Sequence, residues 1–550
     1  MPADPSKTHL SGKANDVQVV VVGFGPAGAL AANLLGQAGI RTLCVDRSRE
    51  VYGKPRAIAL DHEILRILDN IGVAEAVSPH IAPFDLSEHF GVDGGLLRRI
   101  GMVGTPYPLG YTPTMVFTQP PLEAALREHA RRWQSLEVRL GTQVTAIVQD
   151  EHGVALELRD AAGSVGRVTA DYVIACDGAS SSLRGMVGLT LDDLDFDEPW
   201  VVIDLKVDAD KLGRLPANSA HYCEPTRPAV YIVGPGNHRR WEIMLLDGED
   251  PREMERPERV WQLLSRWLGP DDAILWRAAS YRFHALVLRE WGRGRVFFAG
   301  DAAHQQPPIL GQGMCQGMRD ATNLVWKLQA VIASEADRSL LDSYGEERSL
   351  HVRELIEQIK QIGAVLCERD PDEARKRDAR ILAESGGVPA TITRQSVIPP
   401  LRAGLLSDSA RDGTGSLFPQ PRVMAAAGEG LLDRVCGTGW RLVIDAESQR
   451  WEQDELVALS DASRGLGITV LALTRDAESV SPAIRSFGER DGILAGWFAD
   501  HAASAVLVRP DHYVFGTGDA AVTTLALIAE LGTLLRPAAG ALPSQRTAAA

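Results

Sequence analysis

A near-continuous valine run, Val17-Gln-Val-Val-Val-Val22, leading straight into Gly23-Phe-Gly-Pro-Ala-Gly28, constrains this chain more than any other feature. A strand without polar alternation suits burial on both faces, and so a parallel sheet covered by helices. Small residues from Ala29 to Gln37 predict a helix, Gly39 ends it, and Arg41-Thr-Leu-Cys-Val-Asp46 predicts a second strand with an acid at its tip. This is a βαβ opening. The glycine spacing is that of a dinucleotide fingerprint, in the strand-then-helix context the fingerprint requires. Gly23 permits the tight turn, Gly25 lets a pyrophosphate approach the backbone, and Gly28 lets helix and strand pack closely. Asp46 follows Gly28 by 18 residues, near the place of a ribose-binding acid; a solvated strand end is the plainer alternative.

Composition narrows the class. The 550 residues suggest three or four domains at about 100–200 residues each. A hydrophobic content of 45% with 23% charged residues is that of a soluble globular protein. With 57 Lys and Arg against 72 Asp and Glu, the net charge of −15 has the wrong sign for a nucleic-acid binder. Six scattered cysteines without a CxxC pair argue against a disulfide framework or a zinc site, and for a reducing cytoplasm. The N-terminus is polar and has no signal-peptide core. Val17 to Ile40 carries no charge over 24 positions, but five glycines, a proline, an asparagine and two glutamines make it too polar for a membrane span.

The fold class expected is α/β. Residues 1–16 read as a disordered lead, 17–190 as the first part of a Rossmann-like domain, and 191–290 as an inserted antiparallel sheet walling the substrate. Residues 291–395 return to the first domain with helices, with the polar, Arg-rich 368–400 as a linker; 396–536 form a smaller α/β unit and 537–550 an Ala/Pro-rich tail.

Four further pieces bear on the first motif. Arg56, in Pro55-Arg56-Ala57, is placed to grip a pyrophosphate bidentately, or is a surface arginine. Gln119, before the helix predicted at Leu122, is a ribityl or phosphate contact or a cap. Ala175-Cys-Asp-Gly-Ala-Ser-Ser-Ser-Leu-Arg184 is a strand ending in Asp177-Gly178 with a Ser-rich helix start. Arg295-Val-Phe-Phe-Ala-Gly-Asp-Ala-Ala-His-Gln-Gln-Pro-Pro308 is an apolar strand ending in Gly300-Asp301, followed by a proline turn and by Gly311-Gln-Gly-Met-Cys315 opening a helix. Asp301 is a short acceptor for ribityl hydroxyls, and the amides near Gly313, Met314 and Cys315 point from a helix start toward a ring that gains negative charge on reduction.

In this order the pieces resemble the group A flavoprotein monooxygenases, the FAD-dependent family of para-hydroxybenzoate and phenol hydroxylases. Gly-Gln-Gly-Met-Cys-x-Gly-x-Arg-Asp-Ala at 311–321, His238-Arg-Arg-Trp-Glu242 and the late Arg509-Pro-Asp-His-Tyr513 are closest to its 3-(3-hydroxyphenyl)propionate hydroxylase branch. The resemblance implies a thioredoxin-like C-terminal domain, read as a packing or homodimerisation module because it lacks a CxxC. It assigns FAD to Gly23, Gly25, Gly28, Asp46, Arg56, Gln119, Asp177, Gly178, Asp301, Gly311, Gly313, Met314 and Cys315. Asp177 and Gly178 would also serve a transient nicotinamide donor, NADH by the closer branch with NADPH as the alternative, since no second fingerprint appears.

The implied reaction inserts one atom of O2 into a small phenolic acid, giving a catechol, with water kept out. Pro307 and Pro308 would lie against the reactive edge of the flavin. Tyr222 and His304 are candidate catalytic groups; Tyr231 and Arg240 are candidate substrate contacts, Arg240 for a carboxylate. Each has an ordinary structural role as its alternative, His304 as a brace for its loop. Other FAD oxidoreductases of the same fold and a non-turnover flavin sensor are the competing readings. The WxWxIP signature expected of a flavin halogenase is absent.

Overall fold

The computed structural model describes residues 15–393 and 398–536. Its first sheet holds the expected βαβ unit. Val17–Val22 sits at the centre, parallel to Thr42–Asp46 on one side and to Val165–Ala175 on the other. Leu136–Leu140 extends the sheet beyond Thr42–Asp46, and Val296–Phe298 beyond Val165–Ala175, again in parallel. Val22 is in register with Val45 and Ala175, and Ala175 with Phe298. Segments far apart in sequence therefore end along one carboxyl edge, where ligands bind in open parallel sheets.

Local chemistry explains the close packing behind that edge. The helix Pro26–Gln37 starts on a proline at its first turn and is built of small residues. A side chain at Gly28 would overlap the carbonyl oxygen of Gly23, and one at Gly36 the Trp133 ring. The long helix Gly313–Ile332 crosses the last strand's turn equally closely: a Cβ on Gly317 would lie 2.8 Å from the Cα of Gly300. The main core is the apolar contact of these helices with the sheet, from Val19 to Val21 and Leu43 to Val45 through Val173, Phe298, Met318 and Leu324.

The second sheet has nine strands, and it is wider than the span 191–290. Its longest strand, Leu191–Val207, lies between Ala273–Leu288 and His238–Met244, antiparallel to both. Ala229–Val233 and Ser219–Tyr222 follow, and then the sheet takes in Leu86–Phe90, Leu96–Gly101 and Ala390–Thr393 from outside that span. The last of these strands, with the helix Pro371–Glu384, replaces the linker expected at 368–400. The reason is a cap: Asp370 accepts hydrogen bonds from the amides of Asp372 and Glu373, with Pro371 next, so a polar, Arg-rich segment becomes a helix that buries Ala374, Arg377 and Ile381.

The C-terminal unit is a seven-stranded mixed sheet centred on Thr469–Leu473, with Arg441–Asp445 beside it, and flanked by the helices Gln453–Arg464, Ile493–Asp500 and Ala521–Leu534. It is bolted to the first unit by buried charge. Arg66 grips Asp433 through two bonds of 2.7 and 2.8 Å. Arg509 bonds both Glu347 and Asp511, and Asp511 also accepts from Asn323 and Trp326. Tyr513 donates to Glu63.

Among the described residues no helix is long and apolar enough to cross a membrane. The lead expected to be disordered lies outside the described residues except for Asn15 and Asp16, which hydrogen-bond Asp171 and Thr169. The expected tail, 537–550, lies outside them altogether.

Candidate functional site

The carboxyl edge of the parallel sheet opens into a cleft of two adjoining hollows that share part of their lining. The outer hollow, of about 720 Å³, runs past Gly23, Asp46, Asp177 and Asp301. The inner hollow, of about 340 Å³, reaches from Gly25 and Gly313 to the face of the second sheet. Gly25, Arg56, Gly178, Asp301, Pro308 and Gly313 line both. These volumes are those of small-molecule sites.

Two helices aim their starts at this space. Neither Gly25, before Pro26–Gln37, nor Gln312, before Gly313–Ile332, makes a side-chain cap, so first-turn amides remain free for an anionic ligand. The glycines divide into two kinds. Gly23, Gly28 and Gly317 are small because protein presses on them, whereas a Cβ added at Gly25 or Gly178 would meet no atom within 4 Å. Gly313 is nearly as open, with only Gln306 at 3.8 Å. Glycine where the protein leaves room is what a cofactor lying against the backbone requires. The residues present therefore fit a flavin dinucleotide.

The acids around the cleft are placed by their own bonds. Asp46 accepts from the amides of Phe24 at 2.6 Å and Ser48 at 2.7 Å, fixing the turn. Asp177 accepts from the Leu183 amide at 3.2 Å, and its other oxygen has no partner among the described residues. Asp301 projects into the open cleft yet is ringed by protein, and that enclosure pushes its carboxyl above the usual range. Gln119 accepts from the Ala57 amide at 2.7 Å and so holds the loop that carries Arg56, whose side chain is exposed in the cleft.

Several expected residues do other work. The buried His304 ring bonds Asp320 at 2.8 Å and stacks on Trp291. Asp320 also accepts from the Gly300 amide and from Arg348. Burial alone would raise the Asp320 carboxyl, but His304 and Arg348 beside it hold it below the usual range. His304 thus braces the Gly300-Asp301 turn, although it borders the outer hollow. Pro307 is buried behind Pro308. Gly311 and Met314 line the inner hollow, but the Cys315 thiol turns away toward the Ala59 carbonyl, and burial pushes it well up.

Tyr222 and Tyr231 are on the wrong face of the second sheet for a substrate. Tyr222 packs on Phe90 and Trp267, Tyr231 on Trp241, and the Tyr231 hydroxyl donates to the Pro216 carbonyl. Their neighbours His221, Val230 and Ile232 face the cleft instead, as strand alternation dictates. Arg240 lines the cleft, but its guanidinium is spent on Asp204, at 2.7 and 3.2 Å, and on the Arg56 carbonyl at 2.7 Å. It supports the Arg56 loop rather than standing free for a carboxylate.

Residues not foreseen complete the wall. Glu123 and Arg127 follow Gln119 at successive four-residue steps on the helix Gln119–Ala130, and all three border the cleft. That spacing is one helix face and was the signal available. Arg127 donates to the Phe24 carbonyl and to Glu123, each at 2.9 Å. Glu242, two residues beyond Arg240, is buried, and burial pushes its carboxyl up to about 7 despite Arg240 nearby.

Comparison with known proteins agrees with this geometry. The model of the FAD binding domain family matches residues 16–359, and that of the HcaD C-terminal domain matches 415–531. A probable NADH-specific resorcinol 4-hydroxylase of Rhodococcus jostii (strain RHA1) is 34% identical over 95% of this chain and 96% of its own. The chain belongs to the FAD-dependent aromatic hydroxylases. Within that family, a 3-(3-hydroxy-phenyl)propionate/3-hydroxycinnamic acid hydroxylase of Burkholderia cenocepacia (strain HI2424) is 33% identical, covering 92% of this chain and 95% of its own. The fold of these hydroxylases extends to the flavin-dependent monooxygenase PieE, solved with FAD and substrate. It superposes with a TM-score of 0.77 at 21% identity, over 95% of this chain and all of that one. The cofactor of this hydroxylase is FAD.

Proposed function

We propose that this protein hydroxylates the ring of a small phenolic acid to a catechol, using NADH and O2, and that 3-(3-hydroxyphenyl)propionate or 3-hydroxycinnamate is the substrate. The observation that carries the reading is the wall that the two hollows share. An outer cleft of about 720 Å³, open at Gly25, Gly178 and Gly313, shares those glycines and Arg56, Asp301 and Pro308 with an inner chamber walled by the second sheet.

The FAD contacts proposed are Gly23, Gly25, Gly28, Asp46, Arg56, Gln119, Asp177, Gly178, Asp301, Gly311, Gly313, Met314 and the Cys315 backbone, with Arg127 added. Held by these residues, FAD would supply the redox chemistry between NADH and O2. The chain supplies the rest. Free amides at the starts of Pro26–Gln37 and Gly313–Ile332 balance negative charge, and Asp301 accepts hydroxyls. His304 and Asp320 hold the Gly300-Asp301 turn in place. Ile309, Leu310 and Ile362 make an apolar wall that keeps water from the reacting ring.

The six free cysteines support a cytoplasmic setting. The proposed thioredoxin-like C-terminal unit has no dithiol and serves as a packing module, in keeping with its buried ion pairs to the first unit.

Stimulated NADH oxidation is the test. A panel of hydroxylated phenylpropionates, cinnamates, benzoates and resorcinol should accelerate it for at least one phenolic acid, with one catechol formed per O2 consumed. Donor oxidation without a hydroxylated product would make the protein a reductase; no turnover with any of the panel would leave it a flavin-binding module.

A further inference from the structure

The inner hollow ends on a histidine whose ring nitrogens no other described residue satisfies. His89 lies on the strand Leu86–Phe90, is only 2% exposed, and lines the chamber. Neither of its ring nitrogens has a hydrogen-bond partner among the described residues. Its ring stacks on His221, directly across the strand pair, with centroids 4.4 Å apart. The His221 Nδ1 lies 2.9 Å from the Ser87 hydroxyl. Around this polar spot the chamber is apolar, with Ile100, Val230 and Ile232.

A buried polar group without a partner is costly and calls for a ligand that completes it. Burial, the neighbouring His221 and Arg98 on the adjoining strand hold the imidazole well below its usual range, so it is neutral near pH 7. A neutral imidazole offers one N–H and one lone pair. A carboxylate, acceptor only, meets repulsion at the bare nitrogen. A phenolic hydroxyl, uncharged and able to donate or accept, can pair with whichever single ring nitrogen faces it, donating to the bare nitrogen or accepting from the N–H.

We propose that His89 is the specificity-determining residue of the chamber, taking the hydroxyl of the aromatic substrate, with His221 and Ser87 positioning its ring. The inference rests on the reading of the cleft as the site of FAD and an aromatic substrate.

The test uses the FAD-loaded full-length protein and two probes, 3-(3-hydroxyphenyl)propionate and 3-phenylpropionate, which differ only in the hydroxyl. Binding is read from the change in visible flavin absorbance. Wild type should prefer the hydroxylated probe by roughly tenfold or more, the worth of one buried hydrogen bond. His89→Leu should abolish that preference by weakening the hydroxylated probe alone, without lowering the melting temperature. His89→Phe keeps a ring to stack on His221 but has no nitrogens, and should do the same; it decides the matter if the leucine variant does not fold. Equal affinity of wild type for the two probes, or unchanged selectivity in a variant that still turns over, overturns the role of His89 and leaves the hydroxylase reading standing. A wild type that binds neither probe and forms no catechol overturns both.

Discussion

Two glycines of one motif should fail in opposite ways. At Gly25 the backbone is extended, with φ −74° and ψ −174°, a conformation alanine adopts freely, and an added Cβ meets nothing within 4 Å. The apoprotein of Gly25→Ala should therefore stay within about 1 kcal/mol of wild type, a gain of about 0.4–1 kcal/mol from the lost flexibility of the unfolded chain being offset by alanine's poorer fit at a helix N-cap. The same methyl group projects into the cleft, where it would intrude on the cofactor. If overpacking costs about 1–3 kcal/mol, the FAD dissociation constant rises by roughly five- to 150-fold. At Gly28 the added atom would overlap the Gly23 carbonyl oxygen in the first turn of the helix, and a backbone group cannot swing aside. Gly28→Ala should lose about 1–3 kcal/mol or more of stability before any cofactor is considered. Denaturant midpoints of the two apoproteins, with FAD titrations followed by fluorescence, separate the effects. An unchanged FAD dissociation constant in Gly25→Ala would refute the placement of the cofactor against that backbone.

Three further outcomes follow from buried groups. Asp511→Ala removes the acceptor shared by Arg509, Asn323 and Trp326 and should lower unfolding free energy by about 3–5 kcal/mol; a loss below about 1 kcal/mol would mean the two units are not coupled there. Tyr231→Phe deletes a hydroxyl that points at Pro216, away from the cleft, and should leave turnover within about twofold of wild type at a cost of about 1 kcal/mol in stability, read from catechol formation and urea midpoints. Glu242 has a folded-state value raised to about 7, so the native state holds its proton more tightly than the unfolded chain. Stability is full below the unfolded value and falls as pH rises to about 7. Glu242→Gln should match wild type near pH 4–5 and exceed it by up to about 3 kcal/mol above about pH 8; a difference independent of pH would refute the burial argument.

The parts of this protein legible in its sequence are those where one short segment contains its own reason. Gly23 to Gly28, Asp177-Gly178 and Gly300-Asp301 each carry a strand, a turn and a helix start within a few residues, and all three meet at one sheet edge. The chamber wall is different, because it is written across strands that do not know one another in sequence. A shift of one residue reverses which side chains face inward, so Tyr222 and Tyr231, plausible by residue type, face away from the chamber by parity. The helix Pro371–Glu384 was hidden by its composition, since a charged exterior and three buried residues look like a linker unless the Asp370-Pro371 cap is weighed first.

Leu86–Phe90 carries the most instructive pattern. There the polar Ser87 and His89 are buried while Leu86 and Phe90 are partly exposed, the reverse of what a strand on a hydrophobic core shows. Inverted polarity costs stability unless something arrives to satisfy it, and natural sequences break their own local rules chiefly where function requires it. Once the fold has fixed which alternation faces inward, such a strand becomes a pointer to the site. Read without the fold, Leu-Ser-Glu-His-Phe is two overlapping patterns with nothing to choose between them.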